Sequence, residues 1–195
     1  EINVGLVGSE MCIRDRVRAD MEKPGVGTFR NVNIDNVIAT NASSIGCSIT
    51  GLKFKKIEDV NISNVTIEFD GGGTAEDSKK VIEELEDHYP ESTMFGNLPS
   101  YGFFIRHVDN ISMSGIKLSY KEDDLRPVFY LDDVSNSQFE NVYYDANKNS
   151  LSPVFINSSS NIHLNSFYST HSIKQLVTEK ETNKKIFVDR KNIVK

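Results

Sequence analysis

The chain has 195 residues, 38% of them hydrophobic and 26% charged, and a net charge of −6 at pH 7. This acidic balance has no basic stripe, which argues against a nucleic-acid partner, and no run of 18 apolar residues is present to span a bilayer. Its two cysteines make no disulfide framework and leave the redox compartment open.

The first segment, Glu1 to Arg16, stands apart. Residues 7–16 resemble translated sequencing-adaptor sequence, and 1–16 lack the Asn-rich phrasing of the chain beyond residue 30. We expect 1–16 to be foreign to the natural protein and exclude it from fold reasoning. A genuine strand at Ile2 to Val7 is the competing reading. The first residue is Glu and no signal peptide is visible, so the natural protein is expected to begin upstream.

From residue 30 a phrase recurs. It reads Arg30-Asn31-Val32-Asn33-Ile34-Asp35-Asn36-Val37, then Asp59-Val60-Asn61-Ile62-Ser63-Asn64-Val65-Thr66-Ile67. It returns as Asn110-Ile111-Ser112-Met113-Ser114-Gly115-Ile116-Lys117-Leu118, Asn136-Ser137-Gln138-Phe139-Glu140-Asn141-Val142-Tyr143 and Asn161-Ile162-His163-Leu164-Asn165-Ser166-Phe167-Tyr168. The aligned positions Asn36, Asn64, Gly115, Asn141 and Ser166 lie 28, 51, 26 and 25 residues apart, and 51 is close to two periods. A fixed period in the twenties signals a solenoid. Within each phrase apolar and polar residues alternate, the period-two mark of a half-buried strand. The Asn, Asp, Ser or Gly that interrupts it tolerates left-handed backbone and makes tight corners.

A second apolar run precedes the last three phrases, at Gly102-Phe103-Phe104-Ile105, Pro127-Val128-Phe129-Tyr130-Leu131 and Pro153-Val154-Phe155-Ile156. Each coil therefore holds at least two strands, and no amphipathic helix lies between them. The expected fold class is all-β, a right-handed single-stranded parallel β-helix of which residues 17–195 form coils. An antiparallel β-sandwich is the rival, but it does not call for the same phrase every 25 residues or so. The recurring Asn reads equally as a hydrogen-bonded ladder or as a plain turn former. Cys47, in Gly46-Cys47-Ser48-Ile49-Thr50, is expected in the core as a small hydrophobe.

Residues 70–100 break the period. Gly71-Gly72-Gly73 leaves the stack, and Thr74-x-x-Asp77 resembles a capping box for a short helix through Leu85. Tyr89-Pro90 and Leu98-Pro99 then fix extended backbone. A long loop on a rigid scaffold is where function concentrates, although such a loop also serves as a lid over core. Tyr89, Phe95 and Tyr101 are candidate sugar-stacking rings and Arg106 a candidate substrate contact.

The adjacent acids Asp123-Asp124 and Asp132-Asp133 invite comparison with the paired carboxylates of glycoside hydrolysis. Neighbours on a strand point to opposite faces, and Asp132-Asp133 falls at a corner, so the pair reads as turn acids. Arg106-His107 occupies the same corner one coil earlier. His163 alternates with Ile162 and Leu164 and is expected to point outward. His88 and His171 fall in loops without a partner at ligand spacing, so neither a metal nor another cofactor is expected. Ile186-Phe187-Val188 is expected to add a last strand.

Residues 21–40, 45–52, 71–77, 89–108 and 126–134 together resemble the C-terminal coils of glycoside hydrolase family 28, the polygalacturonase-like pectin hydrolases. The resemblance is most specific in the insertion and generic in the repeats. It implies a secreted enzyme, extracellular or periplasmic and monomeric when intact. That enzyme would cleave pectic polysaccharide, polygalacturonan or rhamnogalacturonan, by inverting hydrolysis. The family carries its chemistry on Asn-Thr-Asp, Asp-Asp, Gly-His-Gly and Arg-Ile-Lys motifs on successive coils, and none stands here in recognisable form. No catalytic residue is therefore carried over, and the catalytic carboxylates are expected upstream of Val17. The alternative from a different class is a non-catalytic β-helix that binds carbohydrate or adheres to a surface.

Overall fold

A computed structural model describes residues 12–13, 27–86, 93–150, 152–180 and 182–189. Tyr89, Pro90 and His88, the proposed strand at Ile2 to Val7, and the basic residues from Arg190 onward lie outside the described residues.

The strands are β1 (Cys12–Ile13), β2 (Arg30–Ala42), β3 (Cys47–Thr50), β4 (Ile57–Gly71) and β5 (Phe103–Glu122). They continue with β6 (Phe129–Tyr144), β7 (Val154–Asn157), β8 (Ser160–Ser169), β9 (Val177–Glu179) and β10 (Lys184–Val188). All pairs between them are parallel. One ladder runs β1-β3-β5-β6-β7-β9, and a second runs β2-β4-β5-β6-β8-β10. Each counts six strands, because β5 and β6 are long enough to serve both. The chain is thus a parallel β-solenoid, as the period requires, and the sandwich is excluded.

Bends at left-handed residues let one 20-residue strand such as β5 serve both ladders. Asn36, Asn64, Gly115, Asn141 and Ser166 have φ of 59°, 52°, 64°, 53° and 57°. These are the positions that align in sequence, so the period is a column of left-handed corners. Two further columns stack the same way. One holds Asn31, Asp59, Asn110, Asn136, Asn161 and Lys185, the other His107, Asp133 and Ser158, all at positive φ. Asn and Asp occupy most of these places because the left-handed region costs most L residues about 1–2 kcal/mol.

The corner residues are turn formers first. A side-chain ladder exists only in pieces, on the outside of the coil: Asn110 Nδ2 donates to Asp59 Oδ1 at 2.7 Å and Asn161 Nδ2 to Asn136 Oδ1 at 3.0 Å. Buried serines do related work inside. Ser137 Oγ accepts the Ile111 N–H at 3.1 Å and donates to the Ser135 carbonyl at 2.6 Å. Ser159 repeats this one coil later with Val134 and Asn157. Each hydroxyl satisfies backbone groups that the corner removes from the ladder.

Inward residues stack in register. Ile62, Met113, Phe139 and Leu164 form one column and Val65, Ile116, Val142 and Phe167 another, and all eight are buried. Phe103 and Phe129 stack with ring centroids 5.9 Å apart. Cys47 is buried in the same core. Burying each such side chain is worth about 1.5–3 kcal/mol. β10 pairs with β8, and His163 points outward to stack on Phe187 at 4.5 Å.

The corner column makes a prediction. Asn141→Val should destabilise by about 1–2 kcal/mol, whereas Asn141→Gly should stay within a few tenths, because Gly adopts positive φ freely. Urea midpoints of the two variants check this, and equal losses would contradict it.

Candidate functional site

The insertion between β4 and β5 begins where Gly71 turns out of the stack at φ 80°, a Cβ there lying 2.0 Å from the Glu122 carbonyl oxygen. Thr74 and Asp77 form the reciprocal bonds of the capping motif: the Thr74 N–H donates to Asp77 Oδ2 at 2.9 Å and the Asp77 N–H to Thr74 Oγ at 3.2 Å. The helix they start is only a 3₁₀ turn, Asp77–Lys79. The chain does not continue as a helix through Leu85, as the capping motif leads one to expect: Lys80 is extended, and the carbonyls of Ile82 and Glu83 accept from Arg106.

Arg106 is 1% exposed. Its guanidinium donates to Ile82 O at 2.8 Å and Glu83 O at 3.0 Å and sits over the rings of Phe95 and Phe104 at 5.4 and 5.3 Å. Burial pulls its pKa down from the usual guanidinium range, and Glu84 and Asp132 oppose that. Phe95, Ile82, Leu98 and Phe104 make a small core under the insertion. Tyr101 lies in the main core and its hydroxyl donates to Asp145 O at 2.7 Å. Phe95, Tyr101 and Arg106 are therefore packed within the protein and present no open ring face or free donor fork to a ligand. The structure brings Phe95 and Arg106 together as the anchor of the insertion, and Tyr101 lies in the other core cluster.

A second clamp joins residues that the sequence keeps far apart. Asp124 and Arg126 are an ion pair with side chains 0% and 1% exposed, joined at 2.7 Å. Asp124 Oδ2 accepts the Gly73 N–H at 2.9 Å, at the start of the insertion. Arg126 donates to Leu98 O at 3.1 Å, at its end, and to Ser44 O at 2.7 Å. Gly73 must be glycine for this approach, since a Cβ would lie 2.0 Å from Arg126 Nε.

At the neighbouring corner His107 is 4% exposed between two acids, with Nδ1 2.8 Å from Asp133 Oδ2 and Nε2 3.1 Å from Glu84 Oε2. Lys56 Nζ donates to Asp133 Oδ1 at 2.8 Å. Burial, the largest influence, raises the Asp133 pKa, but hydrogen bonds and charge from His107 and Lys56 outweigh it and hold the carboxyl below its usual range. Asp132 accepts from Asn157 at 2.7 Å on the other face. Asp132 and Asp133 are thus separate corner groups, as the alternation of a strand requires. Among the described residues no group of three or more His, Cys, Asp or Glu is placed to hold a metal.

A cleft of about 310 Å³ opens to solvent where the insertion meets the outer face of the first ladder. Phe104, Tyr130 and Phe155 stack outward from β5, β6 and β7, with Tyr130 and Phe155 centroids 4.5 Å apart at 22°. The insertion buries Phe104 and leaves Tyr130 and Phe155 partly open on the cleft floor. Lys79 and Val81 enter from the insertion, Glu179 and Lys180 from the end of β9. Burial and nearby Asp132 push the Tyr130 pKa up to about 12, so its hydroxyl stays neutral at physiological pH. The lining has two cations against one acid, a net positive charge.

Fold and cleft define the class: a parallel β-solenoid with a solvent-open groove beside an anchored insertion. No protein-family model matches the chain, and no match was found among curated proteins. Solved structures that match include a provisionally assigned glycosyl hydrolase from Parabacteroides merdae ATCC 43184, 10% identical with a TM-score of 0.44. The alignment covers 86% of this chain and 81% of that one. At that identity none of its residues is carried onto this chain.

Two measurements check the clamps. Arg126→Met should cost about 3–5 kcal/mol, because it leaves Asp124 buried and unpaired. Removing both charges with Asp124→Leu should recover part of the loss, and limited proteolysis should cut the insertion first in the single variant. Asp133 and Asp77 both have depressed pKa values. Such groups add stability above their unfolded value near 4 and lose it as pH falls through the folded value. The gap in urea midpoint between wild type and Asp133→Asn should therefore narrow below about pH 4. A gap unchanged from pH 7 to 3 would contradict it.

Proposed function

We propose that this chain supplies C-terminal coils of a secreted glycoside hydrolase that acts on pectic polysaccharide. In this reading the described cleft holds part of an acidic sugar chain. The observation that carries it is the cleft itself: neutral Tyr130 and Phe155 on the floor, Lys79 and Lys180 at the sides, and a net positive lining in a chain of net charge −6. The phrases resembling glycoside hydrolase family 28 agree, because two of them, 71–77 and 126–134, lead into or form this cleft.

The chemistry in this reading is inverting hydrolysis. One carboxylic acid protonates the glycosidic oxygen while a carboxylate activates water on the opposite face, and the two stand about 6.5–9.5 Å apart. Coils about 4.8 Å apart offer such spacings. In this reading the pair stands on coils preceding Val17; of the acids in the two adjacent-Asp motifs here, Asp124 is committed to Arg126, and Asp133 to Lys56 and His107. The compartment is extracellular or periplasmic in the same reading. A non-catalytic, carbohydrate-binding β-helix is the second reading, favoured by Glu179 being the single carboxylate on the cleft lining among the described residues.

Titration calorimetry with hexagalacturonate tests the assignment. Binding should weaken about tenfold in Lys79→Ala/Lys180→Ala, and it should fall with added salt because exposed charges are screened. The chain should release no reducing sugar from polygalacturonan. Binding unaffected by the two substitutions would refute the cleft, and turnover by this chain would refute the upstream placement of the acids.

A further inference from the structure

A different face of the solenoid holds a second groove, of about 530 Å³, within the range of small-ligand sites. It lies beyond the Gly115 and Asn141 corners, on the outer side of the second ladder. One outward position on successive coils builds its wall: Thr66, Lys117, Tyr143 and Tyr168 are in register across β4, β5, β6 and β8. The rings of Tyr143 and Tyr168 stack at 4.6 Å and 17°, and Lys117 Nζ lies 6.0 Å from the Tyr143 centroid. Asp145 and Thr170 add a carboxylate and a hydroxyl.

Core packing does not explain these rings. They point away from the interior, and their inward neighbours Val142, Tyr144 and Phe167 are the buried ones. Tyr143 is 44% exposed, so apolar ring surface is left in water. The stack fixes both rings before any ligand arrives, which lowers the entropy cost of binding. Tyrosine suits this placement because it offers an apolar body with a polar tip.

We infer that the Tyr143–Tyr168 groove is a second carbohydrate site, one that takes a neutral oligosaccharide. Charge selects the ligand. Lys117 and Asp145 are the charged groups on the lining and they balance, whereas the cleft beside the insertion is net positive. A polyhydroxyl chain without charge matches the groove: its carbon-bound hydrogens lie on the tyrosine pair, and its hydroxyls exchange hydrogen bonds with Lys117, Asp145 and Thr170. A uronate carboxylate would meet Asp145 with no surplus cation to offset it. The inference does not rest on the pectin assignment, since it uses neither the insertion nor the catalytic chemistry.

The chain contains no tryptophan, so ligand-induced change in tyrosine emission is readable. The probes are cellohexaose, mannohexaose and β-1,4-galactohexaose, each titrated into wild type, Tyr143→Ala, Lys117→Ala and Lys79→Ala/Lys180→Ala, with calorimetry in parallel. At least one neutral hexasaccharide should bind wild type. Its dissociation constant should rise about tenfold in Tyr143→Ala and several-fold in Lys117→Ala, and should stay unchanged in Lys79→Ala/Lys180→Ala. Thermal melts of Tyr143→Ala separate loss of fold from loss of binding, and Tyr143→Phe, which keeps the ring, should retain most of the affinity. No binding of any of the three, or binding indifferent to Tyr143→Ala, would overturn the inference. Loss only in Lys79→Ala/Lys180→Ala would assign the ligand to the other cleft and overturn it equally.

Discussion

The structure depends on one backbone constraint: each coil must turn through left-handed residues at places that coincide with those of the coils on either side. Parallel strands bond only to the coils above and below, so a corner one residue out of step would move every inward side chain to the outside. Asn36, Asn64, Gly115, Asn141 and Ser166 meet the constraint at one corner, and the columns through Asn110 and His107 meet it at two more. The hydrophobic columns follow from this, and so do the outward columns that make both grooves. Each groove wall is one residue per coil, repeated along the axis.

Among the described residues the insertion is the one large departure from that regularity, and two buried guanidinium groups hold it. Arg126 ties its base through Asp124, and Arg106 holds its middle through backbone carbonyls. Buried charge is costly unless paired: Arg126 meets Asp124 and the Leu98 and Ser44 carbonyls, whereas Arg106 meets the Ile82–Glu84 stretch and two aromatic rings and leaves its Nε without a hydrogen-bond partner. The two anchors bracket the part of the insertion that reaches the cleft: Asp124 holds Gly73 before Lys79 and Val81, and Arg106 holds Ile82 and Glu83 after them.

The corners were legible in the sequence because they fall on residues with a distinctive backbone preference. So were the apolar columns, because alternation and period agree. The aromatic residues that face solvent are less legible. Phe95 and Tyr101 read as loop aromatics, yet each is buried, and the open rings, Tyr130, Phe155, Tyr143 and Tyr168, sit on the repeating strands. Within one phrase an outward Tyr is an ordinary strand residue. Only stacking coils about 25 residues apart turns it into half of a ring pair. The Asp124–Arg126 clamp was hidden for a related reason: its partners, Gly73, Leu98 and Ser44, come from three separate stretches of chain. The capping motif at Thr74 was legible, but the length of its helix was not: Lys80 is already extended, and the stretch after it is held by Arg106, a residue from the next coil, through the Ile82 and Glu83 carbonyls.

The solenoid therefore presents two chemically different faces on one rigid frame, a cationic cleft under the insertion and a charge-balanced aromatic groove elsewhere. The central claim is that the first of these engages an acidic sugar chain. Hydrogen–deuterium exchange with and without hexagalacturonate tests it most directly. The account predicts added protection at residues 78–81, 127–130, 152–155 and 178–180, with the Tyr143–Tyr168 strands unchanged. Protection absent from the first four segments, or confined to the tyrosine face, would contradict it.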